Sequence, residues 1–182
     1  MPTDHQTKFA TYLQGLAKRE HRAALAHLRR GLGKPPGTTP EMFPIVVPWT
    51  HSMRDWDADI YYLVGALFGS HPMNTAKGNF GETCHTVHSL RRKERGSGED
   101  EGVDSLERRF VALLNAHPDD LQWHLRHAVD LAAGAEVPVN WAELLYDLSY
   151  WTHPDRFVQR KWANSYWAGR SAAEESDEHP TD

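Results

Sequence analysis

Alanine and leucine fill 36 positions of this chain, isoleucine and valine only 12. β-Branched side chains lose rotamer freedom against a preceding helical turn and pack well on a pleated surface, whereas alanine and leucine cost a helix almost nothing. A chain so poor in strand formers is expected to be all-α. The spacing of its apolar residues agrees. Phe9, Tyr12, Leu13 and Leu16 fall at i, i+3, i+4 and i+7, the pattern of one buried helical face. Leu25, Leu28 and Leu32 continue it until Gly31 and Gly33 stop the helix. Ile60, Leu63, Val64, Leu67 and Phe68 form another stripe, ended by Gly69 and Pro72. A shorter helix is expected from about Phe80 to Arg92.

The second half reads more clearly. Asp104 with Glu107 reads as a capping box ahead of Phe110, Leu113 and Leu114. Pro118 suits the first turn of a helix buried through Leu121, Leu125 and Val129 and stopped by Gly134. Asn140 with Glu143 opens a helix carrying Trp141, Leu144, Leu145 and Leu148. Pro154 opens the last, with Phe157, Val158, Trp162 and Tyr166. Roughly eight helices result. Between Pro35 and Pro48 five prolines remove amide donors, so a connector or short irregular turns are expected there. Met42, Phe43, Ile45, Val46, Val47 and Trp49 make that segment too apolar for a solvated linker, and it is expected to pack on the body. The run Gly96 to Gly102 divides the chain into an N-terminal helical subdomain (1–95), an acidic Gly-rich linker loop (96–103) and a C-terminal helical subdomain (104–170). A disordered acidic tail is expected over 171–182.

A chain of 182 residues, 40% apolar, buries a real core, which excludes wholesale disorder. No apolar run approaches the roughly 18–20 residues that cross a bilayer, and Met1 to Arg19 carries no signal-peptide core. The single cysteine, Cys84, forms no internal disulfide. A soluble, cytoplasmic protein is expected. Its net charge of −5 hides a segregation. Five acids and no Lys or Arg lie from Ser171 onward, leaving residues 1–170 neutral. Within these, 1–34 carry seven basic and two acidic groups, 77–95 five and two, and Arg156 to Arg170 four and none. Such a chain can present a basic stripe to phosphates and remain anionic elsewhere.

Motifs for catalysis or metal binding fail on inspection. Cys84, His85 and His88 share a helical face but lack a second ligand cluster to close a zinc site. Asp55, Asp57 and Asp59 open like a calcium loop, yet Ile60 and Ala66 stand where glycine and glutamate belong. Gly31-Leu32-Gly33-Lys34 has Pro35 in place of the magnesium-binding hydroxyl. What remains is arginine and lysine on helices. Arg108 and Arg109 are expected in a first turn, where a cation opposes the helix dipole. Arg156 and Arg160, at i and i+4, are expected to straddle neighbouring phosphates.

The ordered series Leu28-Arg29-Arg30, Gly78-Asn79-Phe80-Gly81, Glu107-Arg108-Arg109-Phe110 with Leu113-Leu114, and Asp120-Leu121 with His124-Leu125-Arg126 resembles the CasB family. So do Asn140-Trp141, Leu144-Leu145, Asp147-Leu148, Trp151, and Val158 to Trp162-Ala163 with Tyr166-Trp167. CasB is the small subunit of the type I-E CRISPR surveillance complex, Cascade, and the resemblance spans about residues 8–168. It implies a non-enzymatic, all-helical protein of two small packed subdomains, with no cofactor or metal. It implies two copies in the complex, contacting the backbone and large subunits. A basic groove would help hold crRNA paired with target DNA, and the displaced single strand. Within the family motifs the basic positions are Arg30, Arg109, Arg126 and Arg156, with Lys77 a looser match. Charge clustering adds Lys34, Arg91, Arg92, Arg160 and Lys161. Two other readings stand beside this one: a helical scaffold that meets only protein partners, and a metal-dependent hydrolase built around His85 and His88.

Overall fold

The computed structural model describes the backbone of residues 1–95 and 100–177 and the side chains of residues 1–94 and 105–168. Nine α-helices and no strand run through these residues. α1 (Asp4–Lys18) and α2 (Arg22–Arg29) lead through a 3-10 turn at Pro40–Met42 into α3 (Phe43–Thr50) and α4 (Asp55–Ser70). α5 (Phe80–Arg95) and α6 (Asp100–Leu114) follow, then α7 (Leu121–Gly134), α8 (Trp141–Ser149) and α9 (Phe157–Asp177).

Side-chain caps start α1 and α8, the second at the Asn140 that the sequence leads one to expect. Thr3 and Gln6 form a capping box on α1, Gln6 N donating to Thr3 Oγ1 at 3.2 Å and Thr3 N to Gln6 Oε1 at 2.9 Å. Asn140 caps α8 by accepting from Glu143 N at 3.2 Å. Each cap satisfies amides that the first turn leaves without a partner.

α4 packs against α2, α3, α7 and α8, and α5 lies along α9. Two glycines permit the closest approaches. A Cβ on Gly69 would stand 2.8 Å from Leu28 Cβ and 2.9 Å from Arg29 N, so α2 meets the α4 backbone directly. A Cβ on Gly81 would overlap the Trp162 carbonyl oxygen and lie 2.7 Å from its Cα. The α5–α9 seam therefore depends on a missing side chain. Around it Phe80 meets Trp162 at 5.2 Å between ring centres, and Phe110 stacks on Tyr166 at 4.1 Å. The connectors before α5 and α8 are fastened together: Thr75 N donates to Val139 O, Trp141 Nε1 to Met73 O, and Asn140 Nδ2 to Gly78 O. Buried side chains from both halves of the chain form one continuous core.

Several sequence expectations need correction. The proline-rich segment packs on the body as expected, but it does so as a helix. Pro44 sits in the first turn of α3, where its missing amide costs nothing, and Pro48 lies inside. An interior proline costs about 3 kcal/mol. Burying Met42, Ile45 and Val46 returns roughly 1.5–3 kcal/mol each, which outweighs it. α6 begins at Asp100, so Asp104 lies within it rather than at its cap. Arg108 and Arg109 consequently sit in its C-terminal half, and their supposed conflict with the dipole disappears. Of the expected linker, residues 100–103 belong to α6, and 96–99 lie outside the described residues. α9 continues through the start of the expected tail as far as Asp177, and 178–182 lie outside the described residues.

Candidate nucleic-acid interface

α7 buries Leu121, Leu125 and Val129 and turns its other side outward. Trp123, two residues and about 200° around the helix from Leu121, is 53% exposed. Arg126 stands one turn further on. Its guanidinium reaches back to the turn after α2, where Gly33 takes a left-handed φ of 73°. A Cβ there would meet Arg126 Nη1 at 3.0 Å and the Trp123 ring at 3.5 Å. Among the described residues the ion pair that Arg126 makes is a long one to Asp130, 3.9 Å from Nε to Oδ2, a surface pair worth about 0–1 kcal/mol. Lys34 follows Gly33 and is exposed. Arg30 precedes it, paired with Glu41 at 2.7 Å on the surface. The Arg30 and Lys34 charges help hold the Glu41 carboxyl below its ordinary range, after the larger effect of a backbone hydrogen bond.

Two more cations approach α7 from the neighbouring helices. Arg109 on α6 is exposed and donates through Nη1 to His127 Nε2. Arg91 on α5 passes the end of α7, its Nη2 3.8 Å from where a Gly134 Cβ would lie. His127 sits between them. Burial lowers its pKa, and the charges of Arg109 and Arg91 lower it further. An arginine only donates, so His127 accepts at Nε2 as the neutral ring. Arg92 lies next to Arg91 on α5, exposed.

Beneath this surface, between α5, α6 and α7, lies a cavity of about 250 Å³. Its walls are mainly Val87, Leu106, Phe110, Ala128 and Leu131, and the exposed residues in its lining are Trp123, Arg109, Ala112 and His127.

The remaining candidates lie elsewhere. Lys77 is exposed in the loop before α5, and Arg160 is exposed on α9. Arg156 is not on α9 at all. It precedes the helix with a φ of 49°, and its Nη2 donates to Leu114 O at 2.6 Å, where it closes the C-terminus of α6. The expected i, i+4 pair with Arg160 on one helical face therefore does not form. Lys161 reaches Glu143 Oε1 at 2.8 Å and also Asp147 Oδ1. Asp147 is fully buried and accepts from Trp162 Nε1 at 2.6 Å. Burial disfavours the Lys161 charge, but the hydrogen bonds to Asp147 and Glu143 more than reverse this and raise its pKa. Lys161 thus ties α9 to α8.

Cys84, His85 and His88 do not converge on a metal: among the described residues no group of three or more His, Cys, Asp or Glu does. His88 Nδ1 meets the Tyr166 hydroxyl, and burial pushes the Cys84 thiol up to about 12. Asp55 and Asp57 lie in the first turn of α4, where carboxylates suit the dipole.

A family model described as CRISPR-associated protein Cse2 matches residues 24–167. The chain belongs to the Cse2 family. A curated Cse2 from Thermus thermophilus is 36% identical over 156 residues, spanning 84% of this chain and 83% of its own length. The crystal structure of a Cse2-family protein from that organism shares the fold with a TM-score of 0.76 at 30% identity, over 92% of this chain and 99% of that one. The crystal structure of M. ruber CasB does so with a TM-score of 0.74 at 27% identity, over 97% and 99%. A chain of a CRISPR RNA-guided surveillance complex has the same fold at 23% identity, with a TM-score of 0.77 over 95% and 97%. In this Cse2-family chain the residues that carry the resemblance divide in two. Asn79, Gly81, Asp147 and Trp162 hold helices together. Arg109 and Arg126 gather at α7.

Proposed function

We propose that this chain is the non-catalytic small subunit of a type I-E CRISPR RNA-guided surveillance complex, Cascade, working in the cytoplasm. In this reading the α7 face holds phosphates of the crRNA–target duplex and of the displaced strand. The supporting observation is the convergence of Arg91, Arg109 and Arg126, from three separate helices, at α7. Exchanging a DNA duplex for a guide–target duplex is nearly balanced, so a few backbone contacts suffice to tip it. Contacts to phosphate carry no sequence information, as a subunit serving interchangeable guides requires. The partners in this reading are the backbone and large subunits, a second copy of the chain, crRNA and target DNA. No described helix is long and apolar enough to cross a membrane.

Replacing Arg91, Arg109 and Arg126 together by alanine tests the proposal. The plot of log affinity against log salt is expected to flatten by between about 2 and 3, at 0.7–0.9 for each phosphate no longer neutralised, and target-strand opening by the assembled complex is expected to weaken. An unchanged slope with unchanged strand opening overturns the reading. The scaffold reading has its own support in Phe43 and Val47, exposed one turn apart on α3. It requires the triple variant to fail in assembly even without nucleic acid.

A phosphate seated beside Arg109 favours the charged form of His127. Affinity is therefore expected to rise a few-fold from about pH 8 to pH 5, and less steeply in His127→Gln, as read by fluorescence anisotropy. Superimposable pH profiles would separate His127 from the interface. The sign for stability is opposite. Folding lowers this pKa, so His127 makes the free chain less stable as pH falls through 6.5 towards the lowered value.

A further inference from the structure

We infer that the cavity beneath α7 receives a single unpaired nucleobase from a strand whose phosphates lie on the cationic face above it. The inference rests on the nucleic-acid reading just given and adds a subsite to it. At about 250 Å³ the cavity is smaller than a typical drug-sized pocket and suits one planar ring. The surface exposed within it is mostly apolar, with Phe110 and Leu131 in the walls, although His88, His124 and His127 also line it. The groups at its edge are of another kind. Trp123 stands there with about half of its surface open to solvent, an aromatic face that the fold leaves uncovered. Arg109 shares that edge, Arg126 Nη1 and the Trp123 ring both lie against Gly33, and the Arg91 charge reaches His127.

An apolar hole with a cationic rim fits a ligand that is apolar and planar at one end and anionic along its length. A nucleotide in a single strand has that form, whereas a base in a duplex keeps its faces covered. The charge complementarity favours this occupant over an apolar protein side chain, which would bring no phosphate to the arginines. The sparse polar lining offers little to hydrogen-bond a base edge. The subsite would therefore tolerate any base, as stacking platforms do.

Binding of a short oligothymidylate strand to the full chain at low ionic strength, compared with the same strand built from abasic sites, tests this. Both strands carry the same phosphates. The base-bearing strand is expected to bind about tenfold more tightly, with equal salt slopes. Ala128→Phe, which fills the cavity from α7, is expected to bring the two strands within about twofold, and Trp123→Ala at the exposed edge to narrow the gap. Equal affinity of the wild type for both strands, with a normal salt slope, overturns the base subsite and leaves the phosphate surface standing. Absence of salt-dependent binding to either strand overturns both. Ala128→Phe that keeps strand discrimination but loses the protein subunits of the assembled complex assigns the cavity to a protein side chain and overturns the base.

Discussion

Asp147→Ala is expected to destabilise the fold by about 3 kcal/mol and to lower Tm by roughly 10 °C. The carboxylate is fully buried between Lys161 and Trp162 Nε1. Its removal leaves a half-buried ammonium short of one partner and an indole N–H with none. Breaking a buried pair from one side costs about 3–5 kcal/mol. The lower figure applies because Glu143 still holds Lys161 at 2.8 Å. Burial pushes the Asp147 carboxyl above its ordinary value, with the hydrogen bonds from Lys161 and Trp162 offsetting part of it. The ionised group is therefore no large net gain in itself, and the fold loses stability as pH rises from the ordinary carboxyl range through the raised pKa. The loss on mutation comes from the orphaned partners. Asp147→Leu combined with Lys161→Met is expected to recover part of it, with the Trp162 N–H still unpaired. Urea unfolding of both variants decides the matter, and an Asp147→Ala midpoint equal to that of the wild type refutes it.

Gly81→Ala is expected to cost a net 2 kcal/mol or more, although alanine is the better helix former by about 1 kcal/mol. The added Cβ would overlap the Trp162 carbonyl oxygen and sit 2.7 Å from Cα and 2.8 Å from the carbonyl carbon. These are backbone atoms with no rotamer to change, so α5 and α9 must separate along their length. Overpacking of a tight core costs about 1–3 kcal/mol and sometimes more. Gly15→Ala on α1 is the matched control. Nothing lies within 4 Å of its Cβ position, so propensity alone acts and the variant is expected to gain stability. Equal and opposite shifts in denaturant midpoint are not expected: the Gly81 loss should exceed the Gly15 gain, and a Gly81→Ala protein as stable as the wild type would show that the seam yields.

The helices were legible wherever apolar stripes carried them, because burial of such a stripe is what makes a helix stable in a protein. α3 was not, because local rules weigh Pro44 and Pro48 heavily and cannot see that Met42, Ile45 and Val46 reach the core. The start of α6 was misplaced because Asp104 and Glu107 have the spacing of a cap whether or not the helix begins there. The cationic surface was legible only as charge. Arg126 and Lys161 look alike in the sequence, and the difference between them lies in Glu143 and Asp147, which α8 brings under one and not the other. Trp123 belongs to no motif in the sequence, although its position off the Leu121–Leu125–Val129 stripe is enough to turn it outward.

The place of α9 also bears on how the chain is made. Phe80 on α5 and Phe110 on α6 find their buried partners in Trp162 and Tyr166, and Asp147 on α8 finds its own in Lys161 and Trp162. During vectorial synthesis, at about 5–20 residues per second, all three wait for the ribosome to deliver α9. Until then α5, α6 and α8 hold apolar and acidic sites uncovered, and the nascent chain is expected to expose more apolar surface before α9 emerges than after.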